Sequence, residues 1–175
     1  SGLVRAIDTS TLSIDLTPDK GGLIGSTLTD FGLSAAILTV NRDTQAVVNA
    51  ANFGTVSSGA LAVEAKNTGS FITRINADVI GVTYVNGKDT VIAKVDGATT
   101  RGTSLTVLAE NTTTYESAAK VSINTINGET SALLKNADVG LSGKLDVSAI
   151  DQTTLTAGSK DFKGFLHDFI GVNLS

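Results

Sequence analysis

Leu145-Asp146-Val147-Ser148-Ala149-Ile150-Asp151-Gln152 decides the fold, because the same phrase is written three more times in the chain. It reads Leu61-Ala62-Val63-Glu64-Ala65-Lys66-Asn67-Thr68, then Leu105-Thr106-Val107-Leu108-Ala109-Glu110-Asn111-Thr112. A trimmed copy, Val4-Arg5-Ala6-Ile7-Asp8-Thr9, opens the sequence. The template is Leu-x-Val-x-Ala-x-(Asn/Asp), and a glycine stands close before each copy, at Gly2, Gly59, Gly102 and Gly143. Apolar and polar residues alternate with a period of two, the pattern of a strand with one apolar face. That face tapers from Leu to Ala in every copy. A taper repeated at a fixed period is expected where equivalent positions stack along an axis; a sandwich has no need of it.

Two further phrases recur between these copies. Val40-Asn41-Arg42-Asp43-Thr44 is answered by Val85-Asn86-Gly87-Lys88-Asp89-Thr90 and Ile126-Asn127-Gly128-Glu129-Thr130. Phe53-Gly54-Thr55, Asp96-Gly97-Ala98-Thr99 and Asn136-Ala137-Asp138-Val139 take matching places after them. Leu61, Leu105 and Leu145 are spaced by 44 and then 40 residues, and all three phrases keep one order at that period. Each repeat carries about four strand-like runs, which in the last copy are 120–126, 130–134, 144–149 and 153–157. Asn86-Gly87, Asp96-Gly97 and Asn127-Gly128 favour positive φ, and between alternating strands they predict tight hairpins. Two architectures therefore fit: a parallel β-helix with coils of about 20 residues, two per repeat, or antiparallel β-sandwich-like modules. The taper, and a core poor in large side chains, favour an all-β solenoid, a parallel β-helix with 40–44-residue repeats.

This reading makes 1–175 a single β-repeat segment of a longer chain. It divides into a partial repeat at 1–15, an irregular connection at 16–34, repeats at 35–78, 79–119 and 120–157, an irregular Phe-bearing segment at 158–169, and the start of the next repeat at 170–175. The connection holds Pro18, Gly21-Gly22, Gly25 and Gly32, while Ile170-Gly171-Val172 repeats Ile80-Gly81-Val82.

Composition agrees. Aromatics are 5% of residues, Trp, Met and Cys are absent, and the one proline is Pro18, so small and β-branched side chains must fill the core. The net charge of −4 comes from 13 basic and 17 acidic residues, with no basic patch to serve nucleic acid. The lack of cysteine, with the Thr/Ser/Asn/Gly bias, suits an extracellular repeat held by strand stacking. No apolar run reaches the roughly 18 residues that span a bilayer, and no membrane insertion by this segment is expected. Ser1-Gly2-Leu3-Val4-Arg5 lacks the features of a signal peptide, so a secreted chain would carry its targeting segment elsewhere.

The phrases resemble the strand repeats of giant bacterial surface proteins, the filamentous-haemagglutinin-like and autotransporter-type adhesins. The matching residues are Val40-Asn41 with Thr44, Ile126-Asn127 with Thr130 and Asn136-Ala137, and Gly143-Lys144-Leu145-Asp146-Val147-Ser148-Ala149, within a span of 35–157. The resemblance implies secretion to the bacterial cell surface, a rod-like β architecture, and a role in adhesion or spacing. Its partners would be neighbouring repeats or identical subunits, and glycans or proteins of a cell surface. The Phe-bearing segment departs from the pattern. A self-assembling filament or phage-fibre subunit, and a carbohydrate-active β-helix enzyme, are the alternatives.

The residues offer little for catalysis, and the expectation is a non-enzyme with no cofactor and no metal. His167 is the only histidine, and with no cysteine it cannot build a zinc site or a triad alone. Gly21-Gly22-Leu23-Ile24-Gly25 lacks the Lys-Ser/Thr of a phosphate loop. Asp43, Asp89 and Glu129 take one repeat position and are expected to line up along the outside as solvated turn residues. The sharpest candidate is Phe162, Phe165 and Phe169, which with Leu166 fit one face of a short helix. Such a face is either a lid over the coil stack or a docking surface for a neighbour.

Overall fold

Long runs in which every second residue is apolar, free of proline and rich in Thr and Val, can satisfy both faces only as strands of stacked sheets. The computed structural model describes residues 1–16, 33–75 and 80–159. These form β1 (Gly2–Leu16), β2 (Leu33–Asn49), β3 (Asn52–Phe53), β4 (Ala60–Ile75), β5 (Ile80–Asp96), β6 (Thr99–Gly102), β7 (Ser104–Ala119), β8 (Val121–Lys135), β9 (Asp138–Leu141), β10 (Leu145–Asp151) and β11 (Thr154–Ser159).

Every pairing is parallel. Sheet A runs β1-β4-β7-β10, with β11 end to end beside β10 on β7; sheet B runs β2-β5-β8; and sheet C runs β3-β6-β9. The chain visits A, B and C in turn and then starts the next coil, which is a parallel β-solenoid. Leu61 pairs with Leu105 and Leu105 with Leu145, so the tapering phrases stack rung on rung as expected. Val63, Val107 and Val147 form the second column and Ala65, Ala109 and Ala149 the third. The opening copy joins them, Val4 on Val63 and Ala6 on Ala65.

The structure corrects the smaller units. One coil takes a whole repeat, not half of one; the runs 120–126 and 130–134 merge into β8, whereas 144–149 and 153–157 stay separate as β10 and β11. Antiparallel modules are excluded for the described residues. Asn86-Gly87 lies inside β5 and Asn127-Gly128 inside β8, so neither is a hairpin. Among the described glycines only Gly54 (φ 84°) and Gly97 (φ 61°) need positive φ. Gly97 does turn the chain, at the corner between sheets B and C. The Ala50 N–H donates to Asp96 O (2.9 Å) and the Gly97 N–H to Lys135 O (3.0 Å), so Ala50, Gly97 and Asn136 share that corner. Ala50 (φ 45°) and Asn136 (φ 50°) adopt the same left-handed turn. The match of Phe53-Gly54 with Asp96-Gly97 is therefore replaced by Phe53 on Thr100 on Val139.

Sheets A and B face each other across a flattened interior. Near sheet C the filling is apolar: Leu61, Val63, Ala65, Leu105, Val107 and Ala109 from sheet A meet Ala46, Val48, Val91, Ala93 and Val95 from sheet B. Farther along the same strands a second cluster joins Leu38, Val40, Phe71, Val85 and Tyr115. Between the two clusters the inward positions turn polar.

Candidate functional site

Continuing the alternation through β2 gives Leu38, Val40, Arg42, Thr44, Ala46 and Val48 on the inner face. In β5 it gives Val85, Gly87, Asp89, Val91, Ala93 and Val95. The pairing sets Arg42 against Asp89. Both are inside, at 6% and 2% exposure. Arg42 Nε donates to Asp89 Oδ1 at 2.8 Å, and the hydroxyl of Tyr115, on β7 of the next coil, donates to Asp89 Oδ2 at 2.9 Å. The carboxylate is thus held by one donor on each oxygen.

The rest of the guanidinium is equally committed. Its Nη2 donates to Thr113 Oγ1, and Thr113 passes a hydrogen bond on to Asn111 Oδ1 (2.7 Å). Its Nη1 donates to the carbonyl of Thr68 (3.3 Å) and reaches Asp8 Oδ1 at 3.5 Å. Arg42 also lies 5.0 Å above the centre of the Phe71 ring, which stacks on Tyr115 at 5.3 Å and 24°. Two glycines make the room: a Cβ on Gly69 would stand 2.7 Å from Arg42 Nη1, and one on Gly87 would stand 2.6 Å from Tyr115 Cζ. One cluster therefore ties three consecutive coils and both long sheets.

Its electrostatics follow from burial with pairing. Burial opposes the Arg42 charge, but the hydrogen bond and attraction of Asp89 outweigh it and raise the pKa. Burial, then the Asp89 charge and hydrogen bond, push the Tyr115 phenol well above its ordinary value. Arg42, Asp89 and Tyr115 are nearly closed to solvent, so the centre of the cluster holds coil to coil. Beside it runs a column of Asp8, Asn67, Asn111 and Asp151. Asn67, 1% exposed, finds no hydrogen-bond partner among the described residues.

Similarity of the repeated phrases hides this cluster, because it sets Asp89 with Asp43 and Glu129. In the structure Asp43, Thr90 and Glu129 share one outward column, and Asp89 stacks between Arg42 and Gly128. The signal is present: carrying the period of two from Val85 through Asn86-Gly87 places Asp89 on the inner face, and the alternation from Val40 places Arg42 there. Phe162, Phe165, Phe169 and His167 lie outside the described residues, as does Gly21-Gly22. Among the described residues no group of three His, Cys, Asp or Glu could hold a metal ion.

The outer face of sheet A carries ladders as regular as the inner one. Arg5 pairs with Glu64 (2.7 Å) and Lys66 with Glu110 (3.2 Å), each directly across a rung, and Arg74 reaches Glu116 (2.7 Å). Half-exposed pairs of this kind contribute about 0–1 kcal/mol each. Between them lie two hydroxyl columns, Thr9-Thr68-Thr112 and Thr11-Ser70-Thr114-Thr154, with rungs about 4.8 Å apart. No protein-family model matches this sequence, no curated protein matches it, and no solved structure matches its fold.

Proposed function

We propose that this chain is a structural and adhesive repeat segment of a large secreted bacterial surface protein, a stalk spacer whose outer sheet faces offer a stacked attachment surface. The observation that carries the reading is the stacking of like residues in columns, Leu61-Leu105-Leu145 inside and the hydroxyls of Thr11-Ser70-Thr114-Thr154 outside. A repeating inner column makes a rod that extends by adding coils. A repeating outer column presents one chemical group many times, which suits weak, multivalent capture of a hydroxyl-rich glycan or a protein surface. Each coil of 40–44 residues lengthens the rod by only about 4.8 Å. A spacer role therefore calls for more coils than those described here. The most elaborate polar cluster is spent on the interior, which favours a scaffold over an enzyme.

The test is a binding screen of the purified chain on immobilised glycans and matrix proteins, run beside an assay for polysaccharide cleavage. The expected result is retention on at least one surface without release of sugar ends, weakened by Thr68→Lys with Thr112→Lys at unchanged melting temperature. Catalysed release of sugar ends would sink the reading in favour of the enzyme. Ordered filaments in electron micrographs, without surface binding, would replace it with a self-assembling subunit.

A further inference from the structure

The inner columns leave one ambiguity that the buried cluster resolves. Slipping a strand by one residue turns its apolar face outward and is forbidden by burial. Slipping it by two preserves the faces. For β2 on β5 such a slip is well supported by the side chains: it stacks Val40 on Val85, Asn41 on Asn86, Ala46 on Val91 and Val48 on Ala93. The observed pairing instead sets Val40 on Gly87, Ala46 on Ala93 and Val48 on Val95. Apolar matching hardly separates the two. The Val-Asn pair at 40–41, which recurs at 85–86, even favours the slip.

We propose that the buried Arg42–Asp89–Tyr115 cluster is a register key, which selects the observed pairing of the first coil on the second against the pairing displaced by two residues. Two residues along a strand are about 6.6 Å. That displacement moves Arg42 from Asp89 to Gly87 and leaves Asp89 facing Thr44. The 2.8 Å contact between Arg42 and Asp89 is lost, and with it the alignment of the guanidinium on Thr113, on the Thr68 carbonyl and over Phe71. A buried charge parted from its partner is strongly unfavourable, so the slip is rejected by chemistry that apolar columns lack. Gly69 belongs to the key, because the clearance it provides is filled by Arg42 in the observed pairing, while Gly87 makes the room from which Tyr115 reaches Asp89.

Disulfide trapping tests this, since the chain has no cysteine of its own. Asn41 and Lys88 are outward neighbours in the observed pairing. A cysteine pair there is bridgeable, whereas a pair at Asn41 and Asn86 lies about 8 Å apart across the diagonal and is not. The parent should therefore trap N41C/K88C and not N41C/N86C. Removing the key by R42M/D89N, which keeps an acceptor for Tyr115, or by R42M/D89L, should raise trapping of N41C/N86C relative to N41C/K88C by about a hundredfold or more. Two different fillings are used so that whichever variant folds, as read by circular dichroism, decides the matter. Trapping that stays confined to N41C/K88C in a folded variant would overturn the proposal. Loss of folding in both variants would overturn it as well, because it would make the cluster a general support and not a selector of register.

Discussion

Gly87→Ala and Gly128→Ala should move stability in opposite directions, although both glycines follow an asparagine in the same repeated phrase. A hairpin would require positive φ at each and would make alanine unfavourable at both. In the solenoid neither glycine has positive φ, and the backbone accepts alanine at both. What differs is the space. A Cβ on Gly87 would stand 2.6 Å from Cζ, 2.7 Å from Cε1 and 2.8 Å from Oη of Tyr115. Ordinary carbon contacts begin near 3.5 Å, so the ring must retreat by about 1 Å. It has nowhere to go: Tyr115 is 0% exposed, stacked on Phe71 and bound to Asp89. Overpacking of this kind costs about 1–3 kcal/mol. Against it stands a gain of about 0.4–1 kcal/mol from the reduced freedom of the unfolded chain. Crowding wins, with a net loss of about 1.3 kcal/mol at the middle of both ranges and about 2.6 kcal/mol at most. At Gly128 the nearest atoms are Asp89 O at 3.4 Å and Asp151 Oδ2 at 3.8 Å, which is ordinary contact. There only the gain survives, about 0.4–1 kcal/mol. Urea titration followed by circular dichroism should place the Gly87→Ala midpoint below the parent and the Gly128→Ala midpoint at or above it. Equal destabilisation of both would return the Asn-Gly pairs to turns, and a neutral Gly87→Ala would remove the Tyr115 ring from its assigned place.

Two smaller predictions use the same material. Ala50 holds φ 45° at a corner that the next coil fills with Gly97; relief of left-handed strain, less the added chain entropy, makes Ala50→Gly stabilising by about 0.5–1 kcal/mol, and a lower urea midpoint would refute it. The raised pKa of Tyr115, caused by burial and then by Asp89, leaves its contribution intact below the unfolded phenol's value of about 10 and removes it as pH rises beyond that. In a Tyr84→Phe background, phenolate absorbance should therefore appear only together with loss of the sheet signal, and its appearance in folded protein near pH 10 would contradict the buried placement.

The legible and illegible parts of this sequence differ in where their causes lie. Leu61-Val63-Ala65 and its copies announce sheet A because strand alternation is local and the columns repeat the same three sizes. The pairing of β2 on β5 was not legible by similarity, since Val85-Asn86 is the better textual match to Val40-Asn41 and the wrong spatial one. Gly87 misled for a related reason. It resembles a turn residue, but its missing side chain answers to Tyr115, which stands 28 positions later in the chain and one coil away. The corner is a further case: Ala50, Gly97 and Asn136 share a conformation and not a residue type, so no phrase marks it.

Magnitudes explain why a single buried cluster can govern register in an array held mainly by apolar stacking. Inner-face residues of the last described rung show what stacking on one side only leaves open: Leu145 is 45% exposed, Val147 40% and Leu155 46%, against 0% for Leu105 and Val107 one rung below. Full burial of such side chains contributes about 1.5–3 kcal/mol each, so the exposed fraction of the three forgoes about 2–4 kcal/mol. That is the apolar gain that another coil brings to this part of sheet A. Separating a buried ion pair costs about 3–5 kcal/mol. The two are of one size. A coil that docks two residues out of place on the Arg42 and Asp89 rungs therefore loses as much in parted charge as stacking returns in apolar burial. The columns make the rod cohere, and they do so equally well in either pairing; the charged interior is the part with a preference.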